Sequence, residues 1–314
     1  MEKSELNSIL SFIKNPNGEI QIILYAYLKD NNIKKLDIDS NDLLEIKKLF
    51  VDSLNNQVVD NECSIMKMSS ADDRNKCIYE YDLELPEEFN LLKSVIGNDN
   101  IEKYSLKDGV FLDIEALIII LADNEREVSL YKKLYPIEIL GKSGYFLGKS
   151  DTRFKLFKDQ LLRISSGFQV LHVNGNIFII DLTTIERSFG IQNVIQNEAK
   201  SGIKAIKDLN IINNIETLEE LINDINFARK LTKIFMYSPV INNKIPNNAI
   251  IKFSQEHLAT KNKFRYTEDN TQFILDTKVS KDLFIKIMND DLLTSQLTNL
   301  YYETLAKNKI ENNN

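Results

Sequence analysis

The chain has 314 residues, of which 43% are hydrophobic and 27% charged, and its formal net charge is −7. That balance fits one large globular domain or two ordinary ones and excludes a disordered tail, a collagen-like rod and a coiled coil. The richest apolar run, Ile114 to Ala122, carries Glu115 and is far short of the roughly 18 residues of a membrane-crossing helix. Met1-Glu2-Lys3-Ser4-Glu5 lacks the charged-then-apolar layout of a signal peptide, which points to the cytosol. The two cysteines, Cys63 and Cys77, have no CxxC spacing, so neither a disulfide framework nor a zinc site is expected.

The charge is uneven. Residues 1–120 carry 13 Lys/Arg against 23 Asp/Glu, whereas residues 121–314 carry 26 against 23. An acidic front repels polyanions, and the remainder does not. Asn, Ile and Lys abound and Arg supplies only 7 of the 39 cations. This is the signature of AT-rich codons, and it weakens any argument from lysine count alone.

In chain order, Gly18 to Tyr27 reads as a strand rich in β-branched and aromatic residues. Asp39 to Asp42 offers N-caps for a helix with Leu43, Ile46, Leu49 and Phe50 at helical spacing. Cys77 to Leu85 alternates acidic with Tyr/Leu residues, as a half-exposed strand does. Ile114–Leu121 and Val128–Tyr135 flank a polar turn and predict a hairpin. Asn174-Gly175 between Phe168–Val173 and Asn176–Asp181 predicts a second hairpin, because Asn-Gly favours the positive φ angles of a type I′ turn. Helical patterns follow: Val194–Ile206, Glu216–Ile225, Phe227–Phe235, Asn247–His257, Ser280–Asn289 and Leu292–Ala306. The last places Leu293, Leu297, Leu300 and Tyr301 on one face. The expected fold is α+β: a mixed α/β domain with the acidic front over residues 1–181, and a mostly helical domain packed on it over 182–314.

Enzyme motifs are lacking: the sequence has no Walker loop, GxGxxG, GxSxG or HExxH. His172 and His257 have no local partner for acid–base work. Asp113/Glu115 and Asp181/Glu186 are the carboxylates that a metal-dependent nuclease would use, without the closely placed lysine such a site wants. No catalytic residue, metal or cofactor is therefore assigned. Basic clusters are more telling. Tyr131 to Arg163 holds eight cations, among them Lys132, against three acids. Within it, the glycine-rich loop of residues 141–150 carries Lys142 and Lys149. It leads into an expected helix start at Ser150-Asp151, with Phe154, Phe157 and Leu161 on the buried face and Arg153, Lys155 and Lys158 alongside. Lys200, Lys204 and Lys207 share one helix face, and Arg229, Lys230 and Lys233 lie opposite Phe227, Leu231 and Ile234. Each stripe alone reads as a solvated face; together they form a candidate polyanion surface. The DNA-binding candidates are Lys142, Lys149, Arg153, Lys155, Lys158, Lys200, Lys204 and Lys207.

Several segments resemble the KwaB family of the bacterial Kiwa anti-phage defence system. They are Gly144-Tyr145-Phe146, Lys149-Ser150-Asp151-Thr152-Arg153-Phe154 and Leu161-Leu162-Arg163-Ile164, then Ile185-Glu186-Arg187-Ser188-Phe189-Gly190 and Phe227-Ala228-Arg229-Lys230-Leu231. Ser238-Pro239-Val240 and Ile245-Pro246-Asn247 complete the likeness, which covers about residues 110–305. The resemblance implies a cytosolic, dimeric protein that binds double-stranded DNA. It would work beside a small membrane subunit, KwaA, against phage DNA replication and transcription, reaching the membrane only through that partner. It implies no catalytic residues. Two other readings stay open: a nuclease using some of Asp113, Glu115, Asp181 and Glu186, and a scaffold that binds protein alone.

Overall fold

The computed structural model describes the chain apart from residues 15–19, 71–76, 87–88, 90–94, 96–99, 106–110, 141–145, 151–152, 158–160 and 304–314. The fold is α+β and divides into two compact units. One holds residues 1–66, 75–81 and 85–189, and the other residues 67–74, 82–84 and 190–314.

The first unit begins with helix α1 (Lys3–Ile9), strands β1 (Gln21–Leu28) and β2 (Ile33–Lys35), and helix α2 (Ser40–Leu54). Asp39 caps α2 by accepting the Asn41 N–H, as its position in the sequence predicts. Strands β3 (Ser64–Lys67), β4 (Cys77–Glu80), β5 (Ile114–Ala122) and β6 (Glu127–Lys133) follow. Then come the short strand β7 (Ile139–Leu140), β8 (Phe146–Ser150), β9 (Arg153–Phe157), β10 (Leu161–Leu162), β11 (Val170–Val173) and β12 (Asn176–Ile179). Helix α3 (Leu182–Ser188) closes the unit.

Eight strands form one sheet in the order β2-β1-β5-β6-β11-β12-β4-β3. From β2 to β4 every pair is antiparallel. Both predicted hairpins are present. In the second, Asn174 and Gly175 have φ of 47° and 77°, the left-handed pair that a type I′ turn requires. Central β5 is buried on both faces. Leu117, Ile119 and Leu121 join Leu6, Leu10, Phe50 and Leu54 in one core cluster, so α1 and α2 cover that side of the sheet. Strand β4 ends at Glu80 rather than Leu85, and Ile78, Tyr79 and Glu80 are all buried. Successive strand residues point to opposite faces, so burial of all three leaves neither face open to solvent, contrary to the half-exposed strand expected.

The second unit is mostly helical. It contains α4 (Ile191–Asp208), α5 (Glu216–Glu219), α6 (Ile225–Tyr237), α7 (Pro239–Asn242), α8 (Asn247–Glu256) and α9 (Lys278–Met288). Two small hairpins accompany them, β13 (Arg265–Tyr266) with β14 (Phe273–Ile274), and β15 (Leu292–Thr294) with β16 (Tyr301–Glu303). The last pair replaces the helix expected over Leu292–Ala306. Ser295 Oγ accepts the Thr298 N–H at 3.2 Å and Thr298 Oγ1 accepts the Leu300 N–H at 3.4 Å. These local bonds compete with helical ones, and Asn299 adopts φ 55°. Leu297 is 93% exposed, so the apparent apolar stripe is not a packed face.

Candidate nucleic-acid interface

Helix α4 owes its amphipathic character to spacing. Ile191, Ile195, Ala199, Gly202, Ile203 and Ile206 are buried on one side. Lys200, Lys204 and Lys207 are exposed on the other. Lys200 Nζ donates to Asn197 Oδ1 at 3.2 Å, a neutral acceptor. Among the described residues no carboxylate pairs with any of the three lysines. The stripe is held in place by close packing of α4 on α6. A Cβ added at Gly202 would stand 2.8 Å from the carbonyl carbon of Leu231, and nearer still to its oxygen. Glycine thus permits a backbone approach that no other residue allows.

The other candidates belong to the first unit. Lys142 and Lys158 lie outside the described residues. Lys149 and the Arg153–Lys155 segment form a separate two-stranded ribbon, β8 with β9. The helix expected from Ser150-Asp151 is instead strand β9, and its register pairs Ser150 with Arg153, Lys149 with Phe154 and Gly148 with Lys155. Arg153-Phe154-Lys155-Leu156 alternates charged with apolar residues at period two, and that pattern prevails over the three-and-four spacing of Phe154, Phe157 and Leu161. Phe154, expected on a buried face, is 81% exposed, and Leu161 is 37% exposed. Arg153 and Lys155 are exposed, and no carboxylate pairs with either among the described residues. The ribbon and the α4 stripe are thus two cationic features with no carboxylate partner among the described residues.

Two other cations of the basic clusters, Lys132 and Lys230, are already paired with carboxylates. Lys132 is 2% exposed. Its Nζ lies 3.2 Å from Glu138 Oε1 and donates to Ser165 Oγ at 2.7 Å, while Ser165 Oγ donates to Glu138 Oε1 at 2.5 Å. Burial works to raise the Glu138 pKa, but hydrogen bonds from Ser165 and the Tyr135 N–H, with the Lys132 charge, hold it below the ordinary carboxyl range. Strand alternation places Lys132 with Val128 and Leu130, a signal that a count of basic residues overlooks. Lys230 donates to Asp282 at 2.6 Å, Lys286 reaches the same carboxylate at 3.0 Å, and Lys286 also pairs with Glu303 at 2.8 Å. Arg229 and Lys233 are half-buried. The expected α6 stripe is therefore not an open cationic face.

The four carboxylates of the nuclease alternative do not converge. Among the described residues no three His, Cys, Asp or Glu side chains are grouped to hold a metal ion. Asp113, just before β5, and Glu115, within it, are exposed, and Glu186 is buried. Asp181 caps α3, accepting the Thr184 N–H at 3.1 Å and its hydroxyl at 2.7 Å. His172 is buried in β11 opposite Ser129 and Ile177. His257 stacks on Phe253 with ring centroids 4.8 Å apart and meets Tyr301 edge-on at 4.8 Å. Burial pushes its pKa down. Among the described residues no helix is long and apolar enough to cross a membrane.

Comparison with known proteins agrees with the resemblance read from the residues. The chain is similar to the Kiwa protein KwaB of Escherichia coli O55:H7 (strain RM12579 / EPEC), with 28% identity over 287 residues, spanning 90% of this chain and 91% of that protein. No solved structure matches. The family model described as "Kiwa protein KwaB-like" matches residues 111–298, a span running from the start of β5 through the α4 stripe to the last hairpin, and on that match the chain belongs to the KwaB-like family of Kiwa proteins.

Proposed function

We propose that this protein acts in anti-phage defence by binding double-stranded DNA through its phosphates, without catalysis. The observation that carries the reading is the α4 stripe: Lys200, Lys204 and Lys207 are exposed and, among the described residues, meet no carboxylate, on a helix anchored by close packing. Arg153 and Lys155 of the ribbon add a second cationic group. Contacts of this kind read charge and geometry and carry no base information. The family likeness supports a KwaA membrane partner, a homodimer and a block of phage DNA replication and transcription as the setting in which the DNA contact works.

Anisotropy of a labelled duplex, measured over a salt series, tests the reading. Every phosphate left without its cation lowers the slope of log affinity against log salt by about 0.9. A Lys200→Gln, Lys204→Gln, Lys207→Gln variant should bind more weakly, with a slope shallower by roughly 2.7 and an unchanged circular dichroism spectrum. An unchanged slope in the folded variant would remove α4 from the interface. Absence of duplex binding by the wild type at low salt would refute DNA binding altogether. Plasmid incubated with Mg²⁺ or Mn²⁺ should stay intact, and nicking abolished by Asp113→Asn or Glu115→Gln would instead establish a nuclease.

A further inference from the structure

We propose that a cleft in the second unit, at the end of α4, receives an unpaired base of the DNA held on that helix. This role rests on the DNA-binding reading and adds to it a contact that phosphate charge does not supply. The cleft encloses about 330 Å³, at the small end of the range for ligand sites. Three parts of the unit build it: Asn210 just beyond α4, Asn247, Asn248 and Ile251 of α8, and the turn from Asn270 to Gln272 between β13 and β14. These walls are tied together. Gln272 Nε2 donates to Asn210 O and to Asn210 Oδ1, each at 3.1 Å, and Asn247 Nδ2 donates to Leu209 O at 2.7 Å. The Phe273 N–H donates to Ile211 O and the Asn213 N–H to Phe273 O, which fastens β14 to the segment after α4. Asn210 and Asn270 hold φ of 50° and 55°, a conformation that asparagine tolerates better than most residues. A cleft formed before its ligand arrives spends little binding energy on ordering.

Its chemistry is that of a base edge. Every side chain lining it is neutral. A phosphate finds no cation among them and a metal ion no carboxylate. What stays unspent is a mixed set of donors and acceptors. Asn210 keeps its Nδ2 and Asn247 its Oδ1, and the amides of Asn248 and Asn270 have no partner among the described residues. Carboxamides match the paired donors and acceptors on base edges, and buried Ile251 offers an apolar wall to a ring face. Bases outside the stack are held in this way, by hydrogen bonds to the edge and apolar contact on the face. Position names DNA as the source. The Asn210 N–H donates to the Lys207 carbonyl at 3.0 Å, so the cleft adjoins the last lysine of the stripe. Three residues of chain reach at most about 11 Å, which keeps Asn210 close to a nucleotide neighbouring the phosphate on Lys207.

The test measures anisotropy of three labelled DNAs with the full chain: a paired duplex, the same duplex with one bulged nucleotide, and one with an abasic residue at the bulge. Wild type should bind the bulged duplex about tenfold more tightly than the other two, the scale of two net hydrogen bonds. A paired base is disfavoured because unstacking and unpairing oppose its entry. Asn248→Ala with Asn270→Gly removes two amides that hold nothing in the fold, and glycine suits the positive φ at 270. This variant should lose the tenfold preference and keep its affinity for paired duplex and its salt slope, because no charge is removed. The Lys200→Gln, Lys204→Gln, Lys207→Gln variant should do the reverse, weakening all three DNAs and preserving their ratio. Equal binding of bulged and abasic DNA by the wild type, or a preference that survives in the amide variant, would overturn the base cleft and leave phosphate binding standing. Failure of the wild type to bind any of the DNAs at low salt would take down both. Thermal stabilisation by free deoxynucleosides without preference among the DNAs would make the occupant a free base and overturn the proposal.

Discussion

Replacing Lys132 with Met tests whether this lysine serves the fold or the DNA. Lys132 and Glu138 are 2% and 5% exposed, and Ser165 bridges them. Lys132→Met keeps the aliphatic stem and removes the charge. Glu138 would then be a buried carboxylate with its cation gone, which typically costs about 3–5 kcal/mol. Folding stability from urea titration should fall by that amount, a large share of the roughly 5–15 kcal/mol that a domain has. A second change, Glu138→Gln, should recover much of the loss, because it removes the stranded charge and keeps a polar atom for Ser165. The pair also predicts a pH dependence. The folded carboxyl ionises below its ordinary value of 4.5, so its contribution is complete above about that pH. It is lost as pH falls through the lower folded value, and Glu138→Gln should flatten this acid-side decline. Under conditions where Lys132→Met is folded, its DNA salt slope should match wild type. A stability loss below about 1 kcal/mol would show that the pair is solvent-screened, and a shallower slope would return Lys132 to the interface.

Three further outcomes follow from particular contacts. Gly202→Ala should destabilise by about 1–3 kcal/mol through overpacking against Leu231, despite alanine's helix propensity gain of about 1 kcal/mol; a Cm above wild type would contradict the close approach. Gly175 has φ 77° and nothing within 4 Å of an added Cβ, so Gly175→Ala should cost about 1–2 kcal/mol from backbone strain alone, whereas Gly175→Asn should cost less in the same titration. For His257, burial lowers the folded pKa below 6.5, and Nδ1 accepts the Ala259 N–H at 3.3 Å. Stability should therefore be full above pH 6.5 and decline as pH falls from there to the folded value. His257→Phe should abolish that decline in a pH series of thermal melts, and an identical decline in the variant would assign it elsewhere.

What is legible in the sequence is what neighbours along the chain decide. Asn174-Gly175 fixes its turn because two successive residues must take positive φ. The spacing in α4 fixes which side faces water, and the cap at Asp39 fixes where α2 begins. Two segments of short apolar spacing fold as strands where helices are expected, for a common reason. Arg153–Phe157 satisfies period two as well as three-and-four, and the five residues of β9 are too few to separate the patterns. In residues 292–303 the leucines recur at helical intervals, but hydroxyls of Ser295 and Thr298 tie up the backbone between them. Pairings across long separations leave no local trace. Lys230 meets Asp282 at 52 residues' distance, and nothing near Lys230 announces that its charge is spent. The candidate site is legible as a set of exposed-type residues. Which lysines are neutralised follows from tertiary contacts alone, with Lys132 the exception that alternation reveals.

If it binds DNA as proposed, a chain of net charge −7 depends on where its charges sit rather than on their count. Lys14 pairs with Asp60, Lys34 with Glu102 and Lys103 with Asp37, so these cations of the acidic front are already matched by carboxylates. The stripe on α4 and the start of β9 carry cations that no described carboxylate neutralises. At about 0.15 M salt the Debye length is roughly 8 Å, and exposed acids farther than that from a phosphate held by Lys204 are largely screened. At about 0.01 M the length is roughly 30 Å, and the net negative charge acts on the whole duplex. Counterion release alone gives a straight line of log affinity against log salt. For this chain the line should bend downward toward 0.01 M, because growing repulsion offsets the growing attraction at the lysines. Neutralising exposed acids of the front, for example Asp37→Asn with Glu102→Gln, should straighten the low-salt limb and leave the slope near 0.15 M unaltered. A straight line in the wild type across that range would mean that repulsion from the acidic front does not reach the bound DNA.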